Sequence, residues 1–186
     1  MTIFPALLIA SILLPGTPAS TPTAPLTAGT AMPQLKGEFL TSREAVLPDA
    51  ASGRVALVTM GFTYNSRFQV EAWIGRFRKD YGANPGVTFF EVPMIGGMAR
   101  LGKWFIDSGM RSGTAKADQE NVITVYGGTD TWKARVGLKN ADDACLLLLD
   151  GKGIIRWTHN GPFDEAAYKE LTAQLTTLLA ASSQNK

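Results

Sequence analysis

Two short stretches of this chain, Arg54-Val-Ala-Leu-Val-Thr-Met60 and Cys145-Leu-Leu-Leu-Leu-Asp150, are almost unbroken by polar residues. A strand with one wet face alternates apolar and polar residues. A continuous apolar run of this length belongs instead to a strand covered on both faces. Such strands demand a sheet with structure packed on either side, and each covering helix must carry an apolar stripe.

The segments between the runs supply those helices. After a Gly61-Phe-Thr-Tyr64 turn, Asn65 or Ser66 can cap a helix in which Val70, Trp73, Ile74, Phe77 and Tyr81 share one face. Gly82 and Asn84-Pro85-Gly86 stop it. Val87-Thr-Phe-Phe-Glu-Val92 is a further strand, ended by Pro93. The spacing predicts a helix over 97–110 with Met98, Leu101, Phe105 and Ile106 inward. Asn121-Val-Ile-Thr-Val-Tyr126 is a strand, and 131–136 a short helix. The run at 145–149, the Gly151-Lys152-Gly153 turn and Ile154-Ile-Arg-Trp157 form an antiparallel hairpin. A helix over 163–181 closes the chain, with Ala167, Leu171, Leu175 and Leu178 as its stripe. A βαβ unit followed by a ββα unit is the order of a thioredoxin-like α/β sandwich, a central mixed sheet with helices on both faces. The additional middle helix and strand match a peroxiredoxin-type insertion. Residues 36–48 are expected to pack on the sheet as an N-terminal extension.

Charge sets the domain boundary. No Asp, Glu, Lys or Arg precedes Lys36. The apolar run over 3–14 is too short to cross a bilayer core, which takes about 20 helical residues. Small residues follow it, and Thr17-Pro18-Ala19 suits a signal peptidase. The reading is a signal peptide over 1–19, a Thr/Ala/Pro-rich linker over 20–35, a folded domain over 36–182 and a tail over 183–186. This implies export, to a bacterial periplasm or the outer face of a membrane. A net charge of +2 gives no footprint for nucleic acid.

The familiar chemistry of this fold is missing. Its redox enzymes place a reactive cysteine after the first core strand, where a helix N-terminus lowers the thiol pKa. Here residues 61–68 contain none. Their second element, a cis-proline before the hairpin, would fall near Ala144, yet no proline lies between Pro93 and Pro162. One cysteine, Cys145, and one histidine, His159, exclude a CxxC pair, a cysteine zinc site and a histidine cluster. Cys145 reads as a small buried residue, or else as a lone thiol facing the groove. Asp142-Asp143 reads as a solvated loop pair, and Gly96-Gly97 as a turn without phosphate-loop spacing. Trp104 and Trp132 read as core or groove aromatics. His159 beside Trp157 has no nucleophile motif to serve. The basic residues Arg76, Arg78, Lys79, Arg100, Lys103 and Arg111 read as solvated helix faces.

Several segments together carry a family likeness. Trp73 lies in the helix after a cysteine-free first strand. Gly109-Met110-Arg111-Ser112-Gly113 precedes Val122-Ile-Thr-Val-Tyr126. The hairpin reads Leu148-Leu149-Asp150-Gly151-Lys152-Gly153-Ile154-Ile155-Arg156-Trp157, followed by Gly161 and an acidic helix start. Over about residues 32–179 the chain resembles the ATP synthase assembly factor ten family. The resemblance implies a thioredoxin-like fold without a thiol pair. It also implies a non-catalytic chaperone that helps assemble the membrane sector of ATP synthase, at the mitochondrial inner membrane in that family. It implies a protein client, with a membrane protein as the candidate, and no cofactor. The expected site is a peptide groove at the ancestral active-site position, contacted by Phe62, Tyr64, Arg67 and the Ala144 backbone, with Arg156 and Trp157 as the family-matched residues. Two other readings stand beside it: a single-cysteine thiol activity at Cys145, and a structural envelope protein.

Overall fold

A computed structural model describes residues 24–183. The signal-peptide reading, the start of the linker and the last three tail residues lie outside the described residues. Seven strands form one sheet: β1 (Leu35–Phe39), β2 (Glu44–Leu47), β3 (Val55–Gly61), β4 (Val87–Ile95), β5 (Ile123–Tyr126), β6 (Ala144–Leu149) and β7 (Ile155–Gly161). Their spatial order is β2-β1-β5-β4-β3-β6-β7. The centre, β5-β4-β3, is parallel, while β6 runs antiparallel to β3 and β7 antiparallel to β6. Among the described residues four α-helices accompany the sheet: α1 (Ser66–Tyr81), α2 (Lys103–Gly113), α3 (Thr129–Val136) and α4 (Glu165–Ser183). This is the thioredoxin-like fold, with β1 and β2 added at one edge.

The apolar runs do what their composition requires. Along β3, Val55 and Leu57 face one side while Ala56, Val58 and Met60 face the other, because side chains alternate across a strand. Along β6, Ala144, Leu146 and Leu148 oppose Cys145, Leu147 and Leu149 in the same way. The first side is covered by Val70, Trp73, Ile74 and Phe77 of α1 and by Ala167, Tyr168, Leu171 and Leu175 of α4. Each such side chain removed from water contributes roughly 1.5–3 kcal/mol. The second side is covered by Trp132 of α3 and by Leu26 and Met32 from the N-terminal segment.

That segment corrects the linker reading over its described part. The Leu26 amide donates to Arg135 O at 2.8 Å, and the Met32 amide to Gly153 O at 2.9 Å. Thr- and Pro-rich composition marked it as loose, but Leu26 and Met32 fill space over the sheet. The extension also packs more fully than expected, entering the sheet as two strands.

The second correction concerns 97–113. The expected helix divides into a 3-10 segment, Gly97–Gly102, and α2. Met98, Leu101 and Phe105, expected inside, are exposed, and so is Trp104. The periodicity found an apolar face correctly. It carried no information on what that face meets: Ile106 and Met110 are half-buried, and Lys103 and Asp107 make hydrogen bonds to the sheet.

Candidate functional site

The end of the sheet where β3 finishes and β6 begins holds the candidate site. Gly61 closes β3. A β-carbon there would stand 2.7 Å from Ser66 Oγ, so only glycine lets α1 begin this close to the strand. Phe62 then drops into the core, 9% exposed, so its side chain supports the loop rather than lining a groove. Asn65 makes no side-chain cap. The helix start is instead closed reciprocally. The Ser66 amide donates to Thr63 Oγ1 at 3.0 Å, and the Thr63 amide donates to Ser66 Oγ at 3.1 Å. This is the logic of a capping box, in which two donors left over at a helix start satisfy each other's side chains.

Asp142 locks the same turn from the other side. Thr63 Oγ1 donates to Asp142 Oδ1 at 2.6 Å, and Asn65 Nδ2 donates to Asp142 Oδ2 at 3.3 Å. Asp143 accepts from Asn140 Nδ2 at 3.0 Å. The aspartate pair is therefore not a freely solvated loop, because one member ties α1 to the turn preceding β6. Thr63 and Ser66 stand three apart at the helix start, the spacing a CxxC pair would take.

Tyr64 (72% exposed) and Phe68 (52%) project from this loop with their rings edge to face. The Arg67 guanidinium lies 4.1 Å from the Tyr64 ring centre and 4.5 Å from that of Phe68. Beside them is a cleft of about 80 Å³ between α1 and the ends of β3 and β4. Gly61, Thr63, Arg67, Glu71, Glu91 and Pro93 are among its walls. Glu91 follows Val87 and Phe89 on the face of β4 that α1 covers. Burial pushes its carboxyl up to about 7, with Glu71 adding to the rise and Arg78 opposing it. Sequence reasoning passed over Glu91. The available signal was a lone carboxylate at an inward-facing position of an otherwise apolar strand.

The expected contacts do not all meet. Tyr64 and Arg67 share the exposed loop. Ala144 is fully buried and pairs with Gly161, at the same end of the sheet. Arg156 lies at the other end, by the hairpin turn, where its Nη2 approaches Asp150 Oδ2 at 2.7 Å. Trp157 packs on Trp73, with ring centres 6.4 Å apart, and stacks on His159 at 5.6 Å and 7°. Trp73 Nε1 donates to Gly161 O at 3.2 Å. Arg156 thus closes the hairpin turn and Trp157 packs on the α1 face, both away from the loop.

Cys145 is fully buried in β6, opposite Met60 and Asn160. Burial, helped by Asp143, pushes its thiol up to about 12. Redox thiols have the opposite properties, being exposed and of lowered pKa. The cis peptide bond among the described residues is Leu47–Pro48, whose proline packs on Gly153 in the β6–β7 turn, at the opposite end of β6 from Ala144. No group of three or more potential metal ligands occurs among the described residues.

The chain matches no protein-family model and no curated protein sequence. Solved structures do match. A candidate thiol:disulfide interchange protein DsbE from Chlorobium tepidum superposes with a TM-score of 0.57 at 18% identity, covering 83% of this chain and 99% of that one. The C-terminal domain of a candidate thiol-disulfide oxidoreductase from Bacteroides thetaiotaomicron gives 0.55 at 14%, covering 81% and 97%. The exposed lipoprotein thioredoxin Etrx1 of Streptococcus pneumoniae gives 0.52 at 13%, covering 77% and 100%. These likenesses establish the class as a thioredoxin-like fold. At such identities they speak for the fold alone.

Proposed function

We propose that this chain is a non-catalytic thioredoxin-like assembly factor or chaperone, binding a protein client at the end of the sheet where β3 gives way to α1. The observation that carries this reading is the pair Thr63 and Ser66. They stand at the spacing of a thiol pair, but they are hydroxyls, bonded to each other and to Asp142. A hydroxyl pair cannot form and break a disulfide, so the position serves as rigid support for what lies beside it. Beside it stand Tyr64, Arg67 and Phe68, an exposed aromatic–guanidinium stack of the kind enriched at protein interfaces.

The family resemblance in the sequence directs the choice of client to the membrane sector of ATP synthase, and the uncharged leader directs the location to the exported side of a membrane. The test is a crosslinking pull-down from membranes with the full chain and with a Tyr64→Ala, Arg67→Ala double variant. A severalfold loss of a discrete membrane-protein partner is expected. Equal capture by both would move the site elsewhere, and capture of no discrete partner would favour the structural envelope protein. An insulin-reduction assay runs in parallel, and turnover that vanishes in Cys145→Ser would replace this reading with a single-cysteine activity.

A further inference from the structure

Helix α2 lies on a part of the sheet that is itself polar. Ile123 and Val125 of β5, with Leu35 and Phe39 of β1, face the side that α3 covers. Alternation turns Thr124, Tyr126 and Glu38 to the other side, where α2 meets them. The helix answers with polar groups. Lys103 Nζ donates to Glu38 Oε2 at 3.0 Å and to Asp107 Oδ2 at 2.6 Å. The Tyr126 hydroxyl donates to Asp107 Oδ1 at 2.6 Å. One turn further on, Arg111 Nε donates to Leu40 O at 2.7 Å, and its Nη2 to Ser42 Oγ at 3.0 Å. No side chain of α2 is buried: Ile106 and Met110 are half-buried, while Trp104 and Phe105 are exposed. On the same side of the sheet, α1 buries Val70, Trp73, Ile74 and Phe77.

The two helices are therefore held by different forces. Burial of apolar area fixes α1, whereas ion pairs between half-exposed groups contribute little in water. Lys103 and Glu38 are 39% and 44% exposed. The chain at either end of the segment is free to turn. Gly96 is pressed on Thr129, where a β-carbon would stand 2.6 Å from Oγ1, so the anchored part of the chain ends there. Gly97 follows with φ +58°, a conformation that favours glycine, and a β-carbon on it or on Gly113 would meet nothing within 4 Å. Asp118, bonded to Arg78 of α1 at 2.7 Å, marks where the anchored part resumes. We propose that residues 97–113 form a hinged flap, opening from the sheet as one unit about Gly97 and Gly113 while the sheet stays folded, with the Lys103–Asp107–Tyr126 contact as its latch. Local openings of this kind fall on units with few buried apolar contacts. Opening uncovers Glu38 and the Tyr126 hydroxyl, which water solvates without exposing a core. This does not depend on the client loop.

The experiment is native-state hydrogen exchange on the full chain, read residue by residue. The amides of 107–113, bonded within α2, should exchange about a hundredfold faster than those of β3 and β6 after correction for intrinsic rates. They should share one opening constant and respond weakly to urea, because little surface is exposed. Trp73→Phe loosens the α1 face, which stays intact when the flap opens. It should speed the amides of β3 and β6 and leave those of α2 unchanged. Asp107→Ala removes both acceptors of the latch and should speed the α2 amides about tenfold. The wild-type comparison holds whether or not either variant folds. Equal protection in α2 and β3 overturns the proposal, as does an α2 that follows β3 in Trp73→Phe, since the segment then opens only with the whole domain. Protection that falls steadily toward the helix ends overturns it too, because that is fraying. An α2 rate unmoved by Asp107→Ala removes the latch.

Discussion

The Thr63 hydroxyl donates to the Asp142 carboxylate at 2.6 Å, joining residues 79 apart in sequence. The bond closes the loop between β3 and α1 onto the turn before β6, and Asn65 adds a second contact to the same carboxylate. Hydrogen bonds to a charged group contribute about 1.5–3 kcal/mol where water is partly excluded. Asp142→Ala should therefore lower stability by about 1–2 kcal/mol in urea unfolding. Combined with Thr63→Val, it should cost less than the sum of the single changes. Full additivity would mean that the two residues do not act as a pair.

Glu91 makes stability depend on pH. Its carboxyl rises from an ordinary value of 4.5 to about 7 because burial disfavours the charge. Below pH 4.5 the group is protonated whether folded or not, and it is neutral in the balance. Between 4.5 and 7 the folded chain holds the proton more tightly, so stability falls as pH rises. The full cost, about 3 kcal/mol, is reached above pH 7. Glu91→Gln should be more stable than the wild type at pH 8 and close to it at pH 4. Parallel stability curves for the two proteins across this range would refute the assignment.

Cys145 should be inert in the native state. A fully buried thiol raised to about 12 presents neither access nor thiolate. Labelling with an aromatic disulfide reagent at pH 8 should be slow in buffer and rapid in denaturant, with the native rate following unfolding. Rapid native labelling would place the thiol in an accessible groove. Cys145→Ser should cost about 1–3 kcal/mol, because it buries a hydroxyl among apolar neighbours.

Trp73 is the centre of the α1–α4 face. It is fully buried, meets Trp157, His159, Phe163 and Tyr168, and donates to Gly161 O. Trp73→Phe removes both volume and the donor, leaving that carbonyl without this bond. A loss of about 2–4 kcal/mol in thermal or urea unfolding is expected. A loss below 1 kcal/mol would mean that the cluster repacks freely.

The sheet was legible because burial on both faces leaves a one-dimensional trace. Runs such as Val55–Gly61 and Ala144–Leu149 need no partner to be recognised as central strands, and Val70, Trp73, Ile74 and Phe77 announce their helix by spacing. The absence of a thiol after β3 was equally readable, since composition alone excludes a disulfide pair. The site was less so. Phe62 and Tyr64 are two residues apart in one loop, yet one is core and the other is exposed. Glu91 and Asp142 take their roles from α1 and the Thr63 turn, and neither has that neighbour in sequence.

The chain's own residues determined which segments are strands and helices, which faces are apolar, and that no disulfide chemistry between two of its cysteines is available. Only the tertiary structure decided which way each apolar face turns. It set the α1 stripe against the sheet, where Val55 and Leu57 are covered. It set Met98, Leu101, Trp104 and Phe105 outward, because Lys103, Asp107 and Arg111 found partners on the domain. Periodicity is a property of one helix, whereas burial is a relation between that helix and everything packed against it.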